Sequence, residues 1–199
     1  MKMSIIKSFE NRRSIYSLGN RQILSQEEIS NLIKKTIENA PTAFNSQSGR
    51  IVILYNEPYH TMWDITMKAL NKVTPPERVN STIAKINSFK NGLGTILFFE
   101  DYSVISALQR KFPLYAESFP TWAEQSSGML QYMVWLALAE NKIGASVQHY
   151  SPLIEEDIKT QFNLPNEWHL ISQMPFGSIE AIPCIKKINP IETRVKIFD

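Results

Sequence analysis

Apolar residues recur at helical spacing after "SQEE", where Ile29, Leu32, Ile33, Ile37 and Ala40 share one face. Ser25 and Glu28 ahead of them form a capping box: the serine oxygen takes the glutamate N–H and the glutamate takes the serine N–H. Pro41 cannot continue the hydrogen-bond ladder and ends that helix. A shorter helix is expected from Ser4 to Glu10, with Ile5, Ile6 and Phe9 inward, stopping at "NRRS". Met62, Trp63, Thr66, Met67 and Leu70 mark another amphipathic helix, and "TPPERVN" a turn into a mobile or helical segment ending near Phe89. The runs "RIVILY" and "GTILFF" predict buried core strands, and "ASVQHY" and "HLISQMPFG" two more. Thr121 and Glu124 have the form of a second capping box. The helix they would open runs to about Asn141 and is apolar on most sides, which predicts a buried central helix with Gly144 as its stop. Ser151-Pro152 would cap a further helix, with proline at its first position. In the tail, Ile191, Thr193, Val195 and Ile197 alternate with Glu192, Arg194 and Lys196: an extended arm with one apolar face, which needs a surface to lie on. Helices and strands are mixed without strict βαβα alternation, so the fold class expected is α+β.

The totals narrow the function. A length of 199 residues suits one domain, taken here as 1–199, and a 43% hydrophobic, 20% charged composition can build a core. The net charge of +2 gives no field for binding polyanions, so no nucleic acid partner is expected. A single cysteine, Cys184, excludes an intrachain disulfide, a CxxC pair and a cysteine-ligated iron–sulfur cluster. His60, His149 and His169 make no metal-ligand spacing, so no metal site is expected. The N-terminal apolar run is too short for a signal peptide, and Met129 to Ala139 falls short of the ~20 residues of a membrane span. The expectation is a cytoplasmic, reduced, soluble protein with no membrane partner.

Three stretches are candidates for chemistry. Arg12, Arg13 and Ser14 place two guanidiniums and a hydroxyl together, suited to a phosphate dianion, although a solvated basic turn has the same composition. Lys186 and Lys187 form a second, weaker basic pair. "APTAFNSQSGR" carries no charge from Ala40 to Gly49, yet holds Asn45, Gln47, three hydroxyls and the bare aromatic Phe44. Amides suit a flat ring with donors and acceptors on its edge, such as a flavin pyrimidine, and equally suit a self-satisfied turn network. "SVQHYSP" leads from a strand end into a helix N-terminus, where free N–H groups can address an electron-rich ligand; His149 there reads equally as a half-buried structural histidine. "GLG" at Gly92–Gly94 precedes a strand and lacks the third glycine of a dinucleotide fingerprint, and there is no phosphate loop or nucleophile elbow. No nucleophile is poised by a base, which leaves the hard chemistry to a bound cofactor.

In order and spacing, "RRSIY", "APTAFNSQSGR", the long apolar helix and "PIE" resemble the nitroreductase superfamily of flavin enzymes. "GTILFFED", "QHYSP" and "PIETRVKIFD" extend the resemblance over nearly the whole chain, toward the short branch of fatty-acid-repression and copper-induced nitroreductases. The resemblance implies a central, mostly antiparallel sheet flanked by helices, a long buried central helix, and a C-terminal arm exchanged in a homodimer. It implies that Arg12, Arg13 and Ser14 form the N-terminal FMN segment. Thr42, Ala43, Asn45 and Gln47 would reach the flavin from the second subunit, with Phe44 walling it. Gln148, His149 and Tyr150 would lie under the isoalloxazine, where a backbone N–H meets flavin N5. Larger members carry a Lys-x-Arg pair before the final proline. Here Lys186, Lys187 and Ile188 precede Pro190, so the arginine position is lost and either lysine is left for the phosphate.

The function so implied is an FMN-dependent NAD(P)H oxidoreductase. Hydride would pass from NADH or NADPH through flavin N5 to a nitroaromatic or quinone-like acceptor, in ping-pong order, with no side chain as obligatory acid or base. The alternative is a non-catalytic flavin-binding regulatory or stress-response protein.

Overall fold

The structure, a computed structural model, describes residues 5–198. Five strands form one sheet: β1 (Leu18–Gly19), β2 (Gly49–Tyr55), β3 (Gly94–Asp101), β4 (Gly144–Ala145) and β5 (Trp168–Ile179). The order is β1-β5-β3-β2, with β4 also pairing β5, and every pairing between them is antiparallel. Seven helices pack around it among the described residues: α1 (Ile5–Asn11), α2 (Gln26–Asn39), α3 (Asn56–Leu70), α4 (Val79–Lys90), α5 (Tyr102–Lys111), α6 (Phe119–Glu140) and α7 (Ser151–Phe162).

β3 is buried along its whole length because both its faces are covered. Ile96 and Phe98 point into a core built with Ile29 and Ile33 of α2 and Leu130, Val134 and Leu138 of α6. Leu97 and Phe99 point the other way, into Tyr59, Met62 and Trp63 of α3, Ile86 and Phe89 of α4, and Ile154 and Ile158 of α7. "RIVILY" has the same composition but is an edge strand, where only Leu54 is buried. The glycines of "GLG" serve packing: a Cβ on Gly92 would lie 2.5 Å from the Phe176 carbonyl oxygen, and one on Gly94 2.6 Å from that of Leu54.

The first capping box forms as expected, with Ser25 and Glu28 bonded reciprocally. The second does not. α6 already begins at Phe119, fed by a 3-10 stretch over Pro113–Ser118, so Thr121 lies inside the helix and no side chain caps its start. α6 ends at the Asn141 C-cap, and the left-handed residue after it is Lys142 (φ 60°), while Gly144 is already strand. "ASVQHY" is not a continuous strand: Ala145 ends the two-residue β4 and bridges Ser14, and Gln148 bridges Gln173. Ser151 is the first residue of α7 rather than its cap, because its hydroxyl is spent on the Ile171 carbonyl.

Apolar surface stays open at one side of the chain. The inward face expected of the first helix is outward: Ile5, Ile6 and Phe9 are exposed and only Ser8 is buried, while Ser4 lies outside the described residues. Met129 and Tyr132 of α6 are exposed beside them, and the Phe9 and Tyr132 rings meet at 6.0 Å. The C-terminal segment is not continuously extended, since Ile191–Thr193 form a 3-10 turn, and Ile182, Ile185, Ile197 and Phe198 all face solvent.

Candidate functional site

The N-terminal basic pair divides into two different arginines. The Arg12 guanidinium lies over the Trp135 ring, 4.1 Å from its centroid, with Tyr132 at 5.8 Å. Its Nε and Nη1 are buried and meet no acceptor. Arg13 is spoken for, as its Nη2 donates to the Cys184 carbonyl. Ser14 bridges to Ala145, and the Ile15 N–H donates to the Ala145 carbonyl at 2.9 Å, which fastens this segment to β4. Arg12, Arg13, Ser14, Trp135, Cys184 and Lys186 line a cleft of about 630 Å³. Lys187 is exposed outside it. An orphaned, permanently charged donor with two further cations in one cleft fits an anion such as a phosphate.

The loop after α2 is held in an uncommon backbone. Phe44, Asn45 and Gln47 all have positive φ, at 55°, 51° and 48°. Intraloop bonds hold this shape: the Gln47 N–H donates to Thr42 Oγ1 at 3.1 Å, and the Asn45 N–H to the Thr42 carbonyl. The Ala43 N–H donates to Ser126 of α6, and Arg50 clamps the far end by donating to the Gln47 carbonyl at 2.7 Å. Phe44 is pushed outward against Phe112, Phe119 and Trp122, lying parallel to Trp122 with centroids 5.8 Å apart. Thr42, Asn45 and Gln47 face a cavity of about 570 Å³ between α2 and the sheet, with Arg50, Glu100 and Ser126 in its wall. Ala43 lines the neighbouring groove beside Phe44, Trp122 and Met129.

Two acids with opposite fates stand at the end of β3. Asp101 is buried, but hydrogen bonds from Ser103 and the Arg50 guanidinium at 2.9 Å outweigh that burial and hold its carboxyl below the usual range. Glu100 is 1% exposed. Burial pushes its carboxyl up to about 7, against the pull of the Ser48 hydroxyl and the Arg50 charge and with the help of the Asp101 charge.

The segment before α7 is clamped from β5. Gln148 is buried, exchanges both backbone bonds with Gln173 (2.7 and 2.9 Å), and donates from its side chain to Ser146. The Tyr150 N–H donates to Gln173 Oε1 at 2.8 Å, and the Tyr150 ring packs edge-on against Trp63. His149 is exposed, and its N–H meets no acceptor among the described residues. It is not the half-buried histidine that was the alternative.

One chain therefore gathers Arg12, Arg13, Ser14 and Lys186, and separately Thr42, Asn45 and Gln47. The Gln148–Tyr150 segment lines neither of those two surfaces. Sequence reasoning missed Glu100, Arg50, Ser126 and Trp135. For Glu100 the only signal is an acid directly continuing the apolar run 96–99 of β3. No group of His, Cys, Asp or Glu among the described residues is arranged to hold a metal ion, and no helix is long and apolar enough to cross a membrane.

An antiparallel sheet sheathed by helices, with a cationic cleft and an amide-rich loop on separate surfaces, defines a mixed α and β fold. Comparison with known proteins makes the class specific. The sequence model of the nitroreductase family matches residues 9–178, and the chain belongs to that family. The nitroreductase CinD from Lactococcus lactis, solved in complexes with chloramphenicol and with 4-nitrophenol, is 43% identical with a TM-score of 0.90, covering 98% of this chain and 100% of its own. The nitroreductase FRM2 of Saccharomyces cerevisiae is 31% identical over 180 residues, 89% of each chain. A nitroreductase with bound FMN from Desulfitobacterium hafniense, only 16% identical, shares the fold at a TM-score of 0.73 over the full length of both chains.

Proposed function

We propose that this chain is a homodimeric, FMN-dependent NAD(P)H oxidoreductase that reduces nitroaromatic or quinone-like acceptors. Residues 1–199 would form its single domain, and the exposed, unpaired Cys184 suits a reducing cytoplasm. The observation that carries the reading is Arg12, whose Nε and Nη1 are buried without an acceptor in a cleft with Arg13 and Lys186. In this reading the cleft takes the FMN phosphate, with Lys186 rather than Lys187 beside it. The free His149 N–H addresses the flavin ring. Thr42, Ala43, Asn45 and Gln47 reach the flavin of the other subunit, which accounts for their separation from the cleft within one chain. The open apolar surface of Ile5, Ile6, Phe9, Met129 and Tyr132 would be the dimer contact, and the exposed apolar tail would lie on the partner.

The chemistry such a cofactor supplies is two-electron hydride transfer, donor and acceptor using the site in turn. The chain's share is to fix the phosphate, hold the 42–47 loop in its left-handed shape, and present the His149 N–H. The complexes of CinD with 4-nitrophenol and chloramphenicol favour nitroaromatic acceptors.

An absorbance spectrum of the purified protein from about 300 to 550 nm, before and after anaerobic NADH or NADPH, tests this. Flavin bands that bleach are the expected result. Bands that persist with both donors would favour a regulator that binds flavin without turning over, and no bands after incubation with FMN would overturn the reading.

A further inference from the structure

Period-2 alternation puts Glu100 on the same face of β3 as Ile96 and Phe98, the face that α2 and α6 cover. An acid there is out of pattern, and its surroundings do not neutralise it. Oε2 is buried and meets no partner. Arg50 of β2, whose charge acts on it, spends its guanidinium on Asp101 and on the Gln47 carbonyl. Tyr102 of α5 has its hydroxyl held up by burial, with the charges of Glu124, Glu100 and Glu155 adding to it. His169 is the backbone register partner of Glu100 in β5, but its imidazole pairs with Glu155. From α2, Lys34 and Glu38 lie in the cavity wall, and α6 presents only Ser126 and Leu130 to it. Gly49 leaves room beside Leu130: a Cβ there would lie 3.2 Å from Leu130 Cδ2 and 3.7 Å from Glu100 Oε1.

One group does contact the acid. The buried Ser48 hydroxyl pulls the Glu100 carboxyl down against its burial, and Ser48 Oγ lies 3.3 Å from Ser46 Oγ on the half-buried side of the loop. Asn45 and Gln47 line the same cavity as Glu100. A path of two hydroxyls therefore leads from a buried acid to the loop assigned to the flavin.

We propose that Glu100 is the proton store for the acceptor half-reaction, delivering through Ser48 and Ser46 to the site the 42–47 loop completes on the partner subunit. The proposal rests on the oxidoreductase reading above. Reduction of a nitro group to a nitroso group takes up one hydride and one proton and releases water: R–NO₂ + H⁻ + H⁺ → R–NO + H₂O. One N–O bond breaks, its oxygen leaves as water, and the nitrogen gains two electrons from the reduced flavin, itself charged by NADH or NADPH. The hydride brings no proton with it. Ser46 gives its proton toward the departing oxygen and takes one from Ser48, which takes one from Glu100. Both hydroxyls end as they began. Glu100 ends as a carboxylate beside the Arg50 charge and is reprotonated from solvent before the next turnover.

The first test needs neither cofactor nor turnover. Infrared titration of apo protein with ¹³C-labelled glutamate should show one carboxylic acid band that disappears through about pH 7 and is missing in Glu100→Gln. The same titration in a wild type with every glutamate already ionised well below neutrality would overturn the proposal. The second test follows the flavin in stopped flow. Glu100→Gln and Ser48→Ala should keep FMN and be reduced by NADH as the wild type is, while reoxidation by 4-nitrophenol slows at least about tenfold and loses its dependence on pH near 7. Wild-type reoxidation and pH profile in both variants would overturn it, and Ser48→Ala carries the test if Glu100→Gln fails to fold. A wild type that binds no flavin would break the oxidoreductase reading instead, with the infrared result on Glu100 left standing.

Discussion

Arg12 and Glu100 are the two residues, among those described, with buried polar side-chain atoms that meet no partner, and they resolve the same difficulty in opposite ways. Arg12 lies where α1 meets α6, on Trp135 and beside an open apolar surface. A guanidinium cannot shed its charge, so its missing acceptor must come from outside the chain. Glu100 lies inside the sheet, buried between α2 and α6 at the wall of the cavity that the 42–47 loop faces. It resolves its own burial by keeping a proton. An unpartnered permanent charge marks a place where a ligand or another subunit is to bind; an unpartnered titratable one marks a place where a proton is stored.

The largest effect expected is on the Glu100 side and is read in stability against pH. The carboxyl is raised from an unfolded value near 4.5 to about 7 when the chain folds. Between those values the folded state holds a proton that the unfolded state has lost, so stability falls as pH rises through that window, by something on the order of 3 kcal/mol, and is level above it. Urea midpoints of the apo protein at a series of pH values should show this fall in the wild type and not in Glu100→Gln. Parallel curves for the two proteins would mean that Glu100 is ionised in the folded state, and the contrast with Arg12 would collapse.

Next in size is the Arg12 side. Arg12→Ala should weaken FMN binding by about ten- to a hundredfold, the value of a charge-assisted bond worth roughly 1.5–3 kcal/mol. Arg13→Ala should cost less, because Arg13 already donates to the Cys184 carbonyl and would have to leave it. Fluorescence titration with FMN ranks the two. An Arg13→Ala loss equal to or larger than that of Arg12→Ala would show that the orphaned guanidinium is not the phosphate ligand, and would move its missing partner to the dimer contact.

What could be read from the sequence was what neighbours along the chain decide. Ser25 and Glu28 are three residues apart, and their capping box forms as read. Thr121 and Glu124 have the same spacing and fail, because the 3-10 stretch from Pro113 delivers the chain into helix three residues early. "RIVILY" and "GTILFF" cannot be told apart by composition, and which is central and which is edge follows from the order β1-β5-β3-β2. The outward turn of Ile5, Ile6 and Phe9 belongs to the same class, since a helix face looks inward only if the chain itself supplies the cover. At the site, motif order located the basic segment and the loop. It was silent on Glu100, whose burial depends on Ser126, Leu130 and Trp168 arriving from two other elements. It was silent as well on the division of labour between Arg12 and Arg13, set by Trp135 and by the Cys184 carbonyl.

The smallest effect is also the cleanest control, because it concerns an acid whose partners are all in place. Glu28 accepts from the Ser25 N–H at 2.7 Å and from the Ser25 hydroxyl at 2.8 Å, and these bonds hold its carboxyl below the usual range. The sign is the reverse of that at Glu100. The capping box contributes above the unfolded carboxylate value and its contribution is lost as pH falls through the lowered folded one. Ser25→Ala should therefore cost about 1 kcal/mol near neutral pH, the usual value of an N-cap, and less as the solution is acidified. Urea midpoints at neutral and acid pH measure both numbers. A cost that held steady or grew toward acid would mean the Glu28 carboxylate is not what the cap depends on. With that loss, the pairing of a satisfied surface acid weakened by acid and an unsatisfied buried acid weakened by base would fail at its simpler end.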